Sequence, residues 1–270
     1  MEEKSILNEI AEKTRARIAE EKKKVPVKTL KEKIEEKNKE RAGRNIPTFY
    51  ENLKKAGMSY ICEVKKASPS KGLISSDFPY LAIAEEYEAA GASAISCLTE
   101  PYYFQGADDY LEEITGKVNV PVLRKDFTID PYMIYQAKVF GASAVLLICA
   151  ILNDEELKSY RILAEELGMD ALVEAHDECE VRRALTCGAK IIGVNNRNLH
   201  TFEVDTGNSI RLRKMAPEEV VFVSESGIRT PKDIKVLADN QVDAVLIGET
   251  LMRSSDKKEM LAYLNRDLGR

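Results

Sequence analysis

Eight short runs of nearly continuous apolar residues recur along the chain, near 60–65, 94–98, 120–124, 144–148, 170–174, 191–195, 220–224 and 244–248. Each is strand length. Continuous rather than alternating apolar character means burial on both faces, which predicts a parallel sheet. Amphipathic segments separate the runs, for example 81–90, 131–140, 154–167, 177–187 and 231–240, and their apolar positions follow helical spacing.

The junctions repeat. Gly91-Ala92-Ser93-Ala94-Ile95, Gly141-Ala142-Ser143-Ala144-Val145 and Gly188-Ala189-Lys190-Ile191-Ile192 each lead into a β-branched run, and Val242-Asp243-Ala244-Val245 is a looser copy. A helix that ends on a left-handed glycine cap and feeds a strand accounts for this pattern. Eight such strand and helix units predict an α/β fold, a single (β/α)8 TIM barrel. An open doubly wound sheet is the alternative, but no GxGxxG follows the first run.

Ahead of the barrel, Ile6, Leu7, Ile10, Ala11, Thr14 and Ile18 form one narrow stripe at helical spacing. Pro26 interrupts it, and Thr29-Leu30-Lys31-Glu32 reads as a capping box that starts a second helix. The expected organisation is an N-terminal helical extension, 1–47, packed on a catalytic barrel, 48–270.

Charge alters this picture little. The net charge is −5, with 14 Lys and Arg against 10 Asp and Glu in residues 1–44 and 26 against 35 in the remainder. The signs in the basic arm alternate closely, as on a solvated helix face, and no aromatic interleaving accompanies them, so no nucleic-acid partner is expected. No apolar run reaches the ~18 residues of a membrane span. MEEKSILNEI has no hydrophobic signal core, which predicts a cytoplasmic protein. The five cysteines include no CxxC pair, and most lie in apolar runs, as buried free thiols do. With only His176 and His200, a zinc site is not expected.

The candidate chemistry sits where strands end. Barrel active sites lie at the C-terminal ends of the strands. Here the first run ends in Glu63 and Lys65, the third in Lys125, the fifth in Glu174, the sixth in Asn195 with Arg197 just after, and the seventh in Glu225. Side chains alternate between the barrel interior and the helix layer. Ile61, Glu63 and Lys65 therefore share a face, as do Leu172 with Glu174, and Val221 and Val223 with Glu225. Acids and amines gathered at one apolar mouth perturb each other's ionisation, as acid–base catalysis requires. Ser226-Gly227 after the seventh run and Gly248-Glu249 after the eighth offer exposed backbone N–H groups for a phosphate. Glu249 suits an anion site only if its backbone binds and its carboxylate turns away.

ICEVKKASPSKG, LTEPYYFQG, VPVLRKDF, ALVEAHDE, IGVNNRNL, SESGI and LIGETLM, in that order, resemble the indole-3-glycerol phosphate synthase family of tryptophan biosynthesis. The resemblance runs from about Ile6 to Met252. It implies closure of the pyrrole ring of 1-(2-carboxyphenylamino)-1-deoxy-D-ribulose 5-phosphate with loss of CO2 and water, without metal or organic cofactor. It also implies roles. Lys125 is the acid that protonates the ketone oxygen. Glu174 is the base in dehydration, and either Lys65 or Lys125 is its acid. Glu63 biases the ammoniums, while Asn195 and Glu225 orient hydroxyls and lysines. Lys65 joins the Ser226-Gly227 and Gly248-Glu249 backbones on phosphate. Pro69, Phe104, Phe127, Leu146, Ile148 and Leu199 match the lining of the aromatic slot, with Arg197 and Ser68 beside it.

Ala67 and Lys71 differ from commoner versions of the first loop and bear on its mobility. Other enzymes of the pathway are conceivable partners, and the fused isomerase domain of some members is not expected here. Two rivals stand beside this reading. A phosphoribosylanthranilate isomerase-like barrel would use a Cys and Asp pair, where this chain has Glu63 and Lys65. A non-catalytic phospholigand-binding barrel would have lost part of the acid–base set.

Overall fold

The computed structural model describes residues 6–40, 43–198 and 201–268. Eight parallel strands close into a barrel: β1 Ser59–Val64, β2 Ala94–Leu98, β3 Val122–Lys125, β4 Ala144–Ile148, β5 Asp170–Ala175, β6 Ile191–Asn195, β7 Val221–Glu225 and β8 Ala244–Ile247. Each pairs with its sequence neighbour, and β1 closes the ring on β8 with Ser59 opposite Ala244. The helices are α1 Ile6–Lys24, α2 Val27–Glu40, α3 Phe49–Leu53, α4 Tyr80–Ala89, α5 Asp108–Lys117, α6 Pro131–Val139, α7 Asp154–Glu166, α8 Glu178–Thr186, α9 Gly207–Arg213, α10 Pro231–Asp239, α11 Glu249–Arg253 and α12 Lys257–Leu264. No helix among the described residues is long and apolar enough to cross a membrane.

The repeated junction has the expected cause. Gly91, Gly141 and Gly188 take φ of +94°, +87° and +83° at helix ends. In the looser fourth copy Gln241 holds the same left-handed position at φ +60°. The bonds match as well, since Ala142 N–H returns to Ala137 O and Val242 N–H to Leu237 O. Glycine is preferred here, and a side chain is tolerated at a modest cost.

Strand parity sorts the core into two layers. Ile61, Ala94, Leu123, Leu172, Val221 and Val223 fill the barrel interior. Cys62, Val64, Val173 and Phe222 face the helix layer. Phe49 and Leu53 of α3 join the interior layer beside β1, where the chain enters the barrel. Four cysteines are buried, and Cys179 is exposed.

The N-terminal stripe buries Leu7, Ile10, Ala11, Thr14 and Ile18. Leu7 and Ile10 belong to the interior cluster, whereas Ile18, Leu30 and Ile34 pack against Tyr132, Met133 and Val139 of α6. The second helix starts earlier than its capping-box pattern implies. It begins at Val27, and Pro26 O accepts the N–H groups of Thr29 and Leu30. Proline fixes a helical φ and lacks a donor, so it opens the helix directly and leaves Thr29 inside the first turn.

Candidate active site

The strand ends converge as their parity requires. Lys125 Nζ lies 3.1 Å from Glu225 Oε2 and 3.4 Å from Glu174 Oε2. Lys65 Nζ lies 2.5 Å from Glu63 Oε1. Glu63, Glu174 and Glu225 are buried. These five side chains, with Asn195, line one pocket at the C-terminal mouth of the barrel.

Burial without charge balance would be costly, and the site resolves it asymmetrically. Burial works against the charge of Lys125, but Glu225, Glu174 and Glu63 outweigh it and hold the ammonium well above its ordinary range. Burial also opposes charge on Glu174. There Lys125, His176 and a hydrogen bond from Asn195 prevail, and its pKa falls. Burial dominates at Glu225, reinforced by Glu174 and only partly relieved by Lys125, and pushes it up to about 7. Two carboxylates share one ammonium, so their protons belong to the pair. The direction of the imbalance is clear: Glu174 is the charged member. Glu225 Oε1 has no hydrogen-bond donor among the described residues. It lies against Gly193, where a Cβ would overlap it, so glycine in β6 is required for this carboxylate to fit.

The two asparagines of NNRN divide their work. Asn195 lines the pocket, and its Oδ1 accepts Arg197 N–H at 3.0 Å. Asn196 is buried; it donates to Ser224 Oγ and Ser226 O and accepts from Ser209. It therefore anchors the turn after β7.

That turn is built for close approach. Ser226 and Gly227 both take left-handed φ, +69° and +87°. Across the mouth, a Cβ on Gly248 would come within 2.5 Å of Glu63 Oε1 and 2.8 Å of Lys65 Nζ, so a side chain here would have to displace this ion pair. The Glu249 carboxylate turns to Arg253 at 3.1 Å and Lys71 at 3.7 Å. Its backbone opens α11, and all four of these turn residues line the pocket.

The apolar side of the pocket comes from the other strand ends. Phe104 and Phe127 lie with ring centroids 6.1 Å apart, and Leu146 and Ile148 emerge from β4 beside them. Both aromatics are fixed by buried carboxylates. Glu100 accepts the N–H groups of Tyr102, Tyr103 and Phe104 at 2.7–3.0 Å. Asp126 accepts Phe127 N–H at 2.8 Å and pairs with Arg17 of α1 at 2.9 Å. Burial opposes charge on Asp126, yet Arg17 and Arg124 win and hold it below the usual carboxylate range. Ser68 and Pro69 come from the first loop, where Ala67–Ser68 pairs with Gly72–Leu73.

Every site residue inferred from the sequence lines this one pocket except Leu199, which lies outside the described residues. The sequence reading missed several lining groups. Ile6, Leu7 and Ile10 reach the mouth from α1, Arg229 stands after Gly227, and Phe202 lies at φ +60° in the loop after β6. It also passed over His176, which sits two residues beyond Glu174 and hence on its face of the chain. Its Nε2 lies 3.6 Å from Glu174 Oε1.

Known proteins give this geometry a context. The sequence profile described as indole-3-glycerol phosphate synthase matches residues 7–264. An indole-3-glycerol phosphate synthase of Ruminiclostridium cellulolyticum is 54% identical over 96% of this chain and 98% of its own length. One of Lacticaseibacillus paracasei is 53% identical over 95% and 97%. Among solved structures, 3-hexulose-6-phosphate synthase of Salmonella typhimurium superposes with a TM-score of 0.64 at 15% identity, over 77% of this chain and 97% of its own. KGPDC of Streptococcus mutans gives 0.60 at 12%, over 78% and 99%. At such identities the likeness is one of fold, and the fold is the TIM barrel.

Proposed function

The chain belongs to the indole-3-glycerol phosphate synthase family, and on that premise we propose how its own residues close the pyrrole ring of 1-(2-carboxyphenylamino)-1-deoxy-D-ribulose 5-phosphate, releasing CO2 and water. The activity is that of a carboxy-lyase in tryptophan biosynthesis. The observation that carries the residue assignments is Lys125 held between Glu174 and Glu225 beside an aromatic-lined slot.

The anthranilate ring enters the slot formed by Phe104, Phe127, Leu146 and Ile148, with Pro69, Ser68, Arg197 and Leu199 around it. The phosphate takes the backbone N–H groups at Ser226-Gly227 and Gly248-Glu249. Lys65 supplies positive charge there, a role supported by its approach to Gly248. This grip at both ends brings the aryl carbon that bears the carboxylate against the C2′ ketone. As the C–C bond forms, the carbonyl oxygen gains charge, and Lys125 gives it a proton. CO2 leaves, and its bonding electrons restore the aromatic ring. Glu225, which retains a proton near neutrality, can restore the Lys125 ammonium. Glu174 then takes a proton from C1′ while the C2′ hydroxyl departs as water with a proton from Lys65 or Lys125. Asn195 and Glu63 orient these groups.

The division into an N-terminal extension, 1–47, and a catalytic barrel, 48–270, is likewise a proposal. The Arg17–Asp126 pair and the contacts of Leu7 and Ile10 with the interior support treating α1 as part of the working site. A cytoplasmic setting and contacts with other enzymes of the pathway are consistent with the activity and are offered on that basis.

Incubation with the anilino-ribulose phosphate is expected to produce indole fluorescence with one CO2 per turnover. Absence of product across pH and temperature would sink the reading. Lys65→Arg separates the two roles of that side chain, because arginine keeps the charge but yields its proton far less readily. Near-normal KM with kcat reduced about tenfold or more assigns Lys65 to proton donation. A raised KM with kcat preserved confines it to phosphate binding.

A further inference from the structure

We propose that His176 is a positioning residue for the acid–base pair: a protonated imidazole, anchored on Glu180, that makes Glu174 rather than Glu225 the ionised partner of Lys125. The proposal rests on the reading of Glu174 as the base in dehydration.

Glu174 and Glu225 present the same problem to the site. Both are buried, both reach Lys125 through Oε2, and the distances differ by only a few tenths of an ångström. Lys125 alone therefore does not choose between them. Two things differ: Asn195 contributes a hydrogen bond to Glu174, and the other oxygens of the two carboxylates meet different neighbours. Glu225 Oε1 meets Gly193 and no donor, whereas Glu174 Oε1 faces His176 Nε2 at 3.6 Å. That nitrogen is buried and makes no hydrogen bond, so its orientation is set from the opposite side of the ring.

The anchoring is tight. Glu180, in the first turn of α8, accepts both the backbone N–H of His176 at 2.7 Å and, at Oε2, ring Nδ1 at 3.1 Å. Asn208 of α9 donates to the carbonyl of the same residue at 2.9 Å. Asp177 caps α8 and holds Glu180 N–H at 2.9 Å. An imidazole with a carboxylate at each nitrogen is at its most stable when both nitrogens carry protons.

The Lys125 ammonium stands beyond Glu174 and opposes a second positive charge, but the groups that bear most on the ring favour it. They are Glu180 from α8, Glu174 from β5 and Glu225 from β7. Burial opposes the charge, and the three carboxylates outweigh it, so the imidazolium persists above its ordinary range. Of the two carboxylates on Lys125, Glu174 is the one that faces this charge, which favours its ionised form and deepens the contrast with Glu225. The proton that the pair retains then resides on Glu225, and Glu174 is free to act as a base.

The chain contains only two histidines, so imidazole NMR can read His176 directly in the free enzyme, with no turnover. His176→Gln identifies its signals by their loss. In the native protein His176 is expected to titrate above pH 6.5, and Glu180→Gln is expected to lower that midpoint by about half a unit or more. A neutral imidazole at about pH 6, or a midpoint indifferent to Glu180→Gln, overturns the proposal.

The second readout is the pH profile of kcat/KM. In His176→Gln the acidic limb should move to higher pH by about half a unit or more. That shift is a loss of about threefold or more at the acid end, with a smaller loss at pH 8 and KM changed less than about twofold. Glu180→Gln should move the limb the same way. An equal loss at every pH in both variants means a merely structural role and overturns the proposal. Failure of the underlying reading is recognised separately: Glu174→Gln would then remain active, whatever charge His176 carries.

Discussion

Lys125→Ala is expected to lower kcat by about a thousandfold or more, the scale on which a positioned general acid acts, while the barrel stays folded. The loss is large because Lys125 is the ammonium set between Glu174 and Glu225. Lys65 is committed to Glu63 at 2.5 Å on the Gly248 side of the mouth. The Lys125 ammonium also pairs with both Glu174 and Glu225, so its removal leaves two buried carboxylates without the cation they share. Such a pair avoids the repulsion by taking up a proton, as two carboxylates that share a site do. Burial already pushes Glu225 up to about 7, which gives the site a ready way to neutralise. The variant should therefore keep its circular dichroism spectrum and melt cooperatively. Lys125→Arg is a useful companion: it keeps the charge and the carboxylate pairing, so it should fold normally and still turn over slowly. Near-normal indole formation by Lys125→Ala would show that the proton for the ketone oxygen comes from elsewhere.

Why this site could be read from the chain, and which parts could not, follows from the range of the interactions involved. Glu63, Lys125, Glu174 and Glu225 each terminate an apolar run. Strand alternation is local, so parity alone places them on the interior face once a barrel is inferred. Gly227 and Gly248 were legible as turn glycines, but the reason for glycine at 248 was not. It is the Glu63–Lys65 pair, brought there from the far end of the sequence by closure of β1 on β8. The same holds for Gly193, which makes room for a carboxylate on the next strand. The α1 stripe announced that it needed a partner surface but not which one, and Arg17 meets Asp126 across 109 residues. Local pattern misled once. Thr29 and Glu32 have capping-box spacing, yet Pro26 had already opened the helix. His176 was within reach, since it shares parity with Glu174. What gives it meaning is Glu180 on the following helix together with the contrast between Glu174 Oε1 and Glu225 Oε1, and neither is visible before the chain is folded.

The step that most sharply separates the two carboxylates is dehydration. Glu174→Gln is expected to leave ring closure and decarboxylation comparatively intact and to slow loss of the hydroxyl by about a hundredfold or more. The substitution is nearly isosteric. A glutamine carbonyl can still accept from Lys125 at the 3.4 Å contact, and the aromatic slot is untouched. What disappears is the basicity needed to remove the C1′ proton, a demand that arises only after the new C–C bond exists. CO2 should therefore appear ahead of indole fluorescence, with a cyclised and decarboxylated hydroxy-indoline accumulating between them. Rapid quench with detection of both products reads this order. Equal slowing of CO2 and indole would place Glu174 at ring closure, and unimpaired turnover would remove it from the chemistry. Glu225→Gln provides the contrast. It leaves Glu174 charged beside Lys125 and His176, so dehydration should proceed, and its cost should fall on the reprotonation of Lys125 between turnovers. That cost should appear as slowed ring closure, and hydroxy-indoline should accumulate only if Lys125 is also the acid of dehydration.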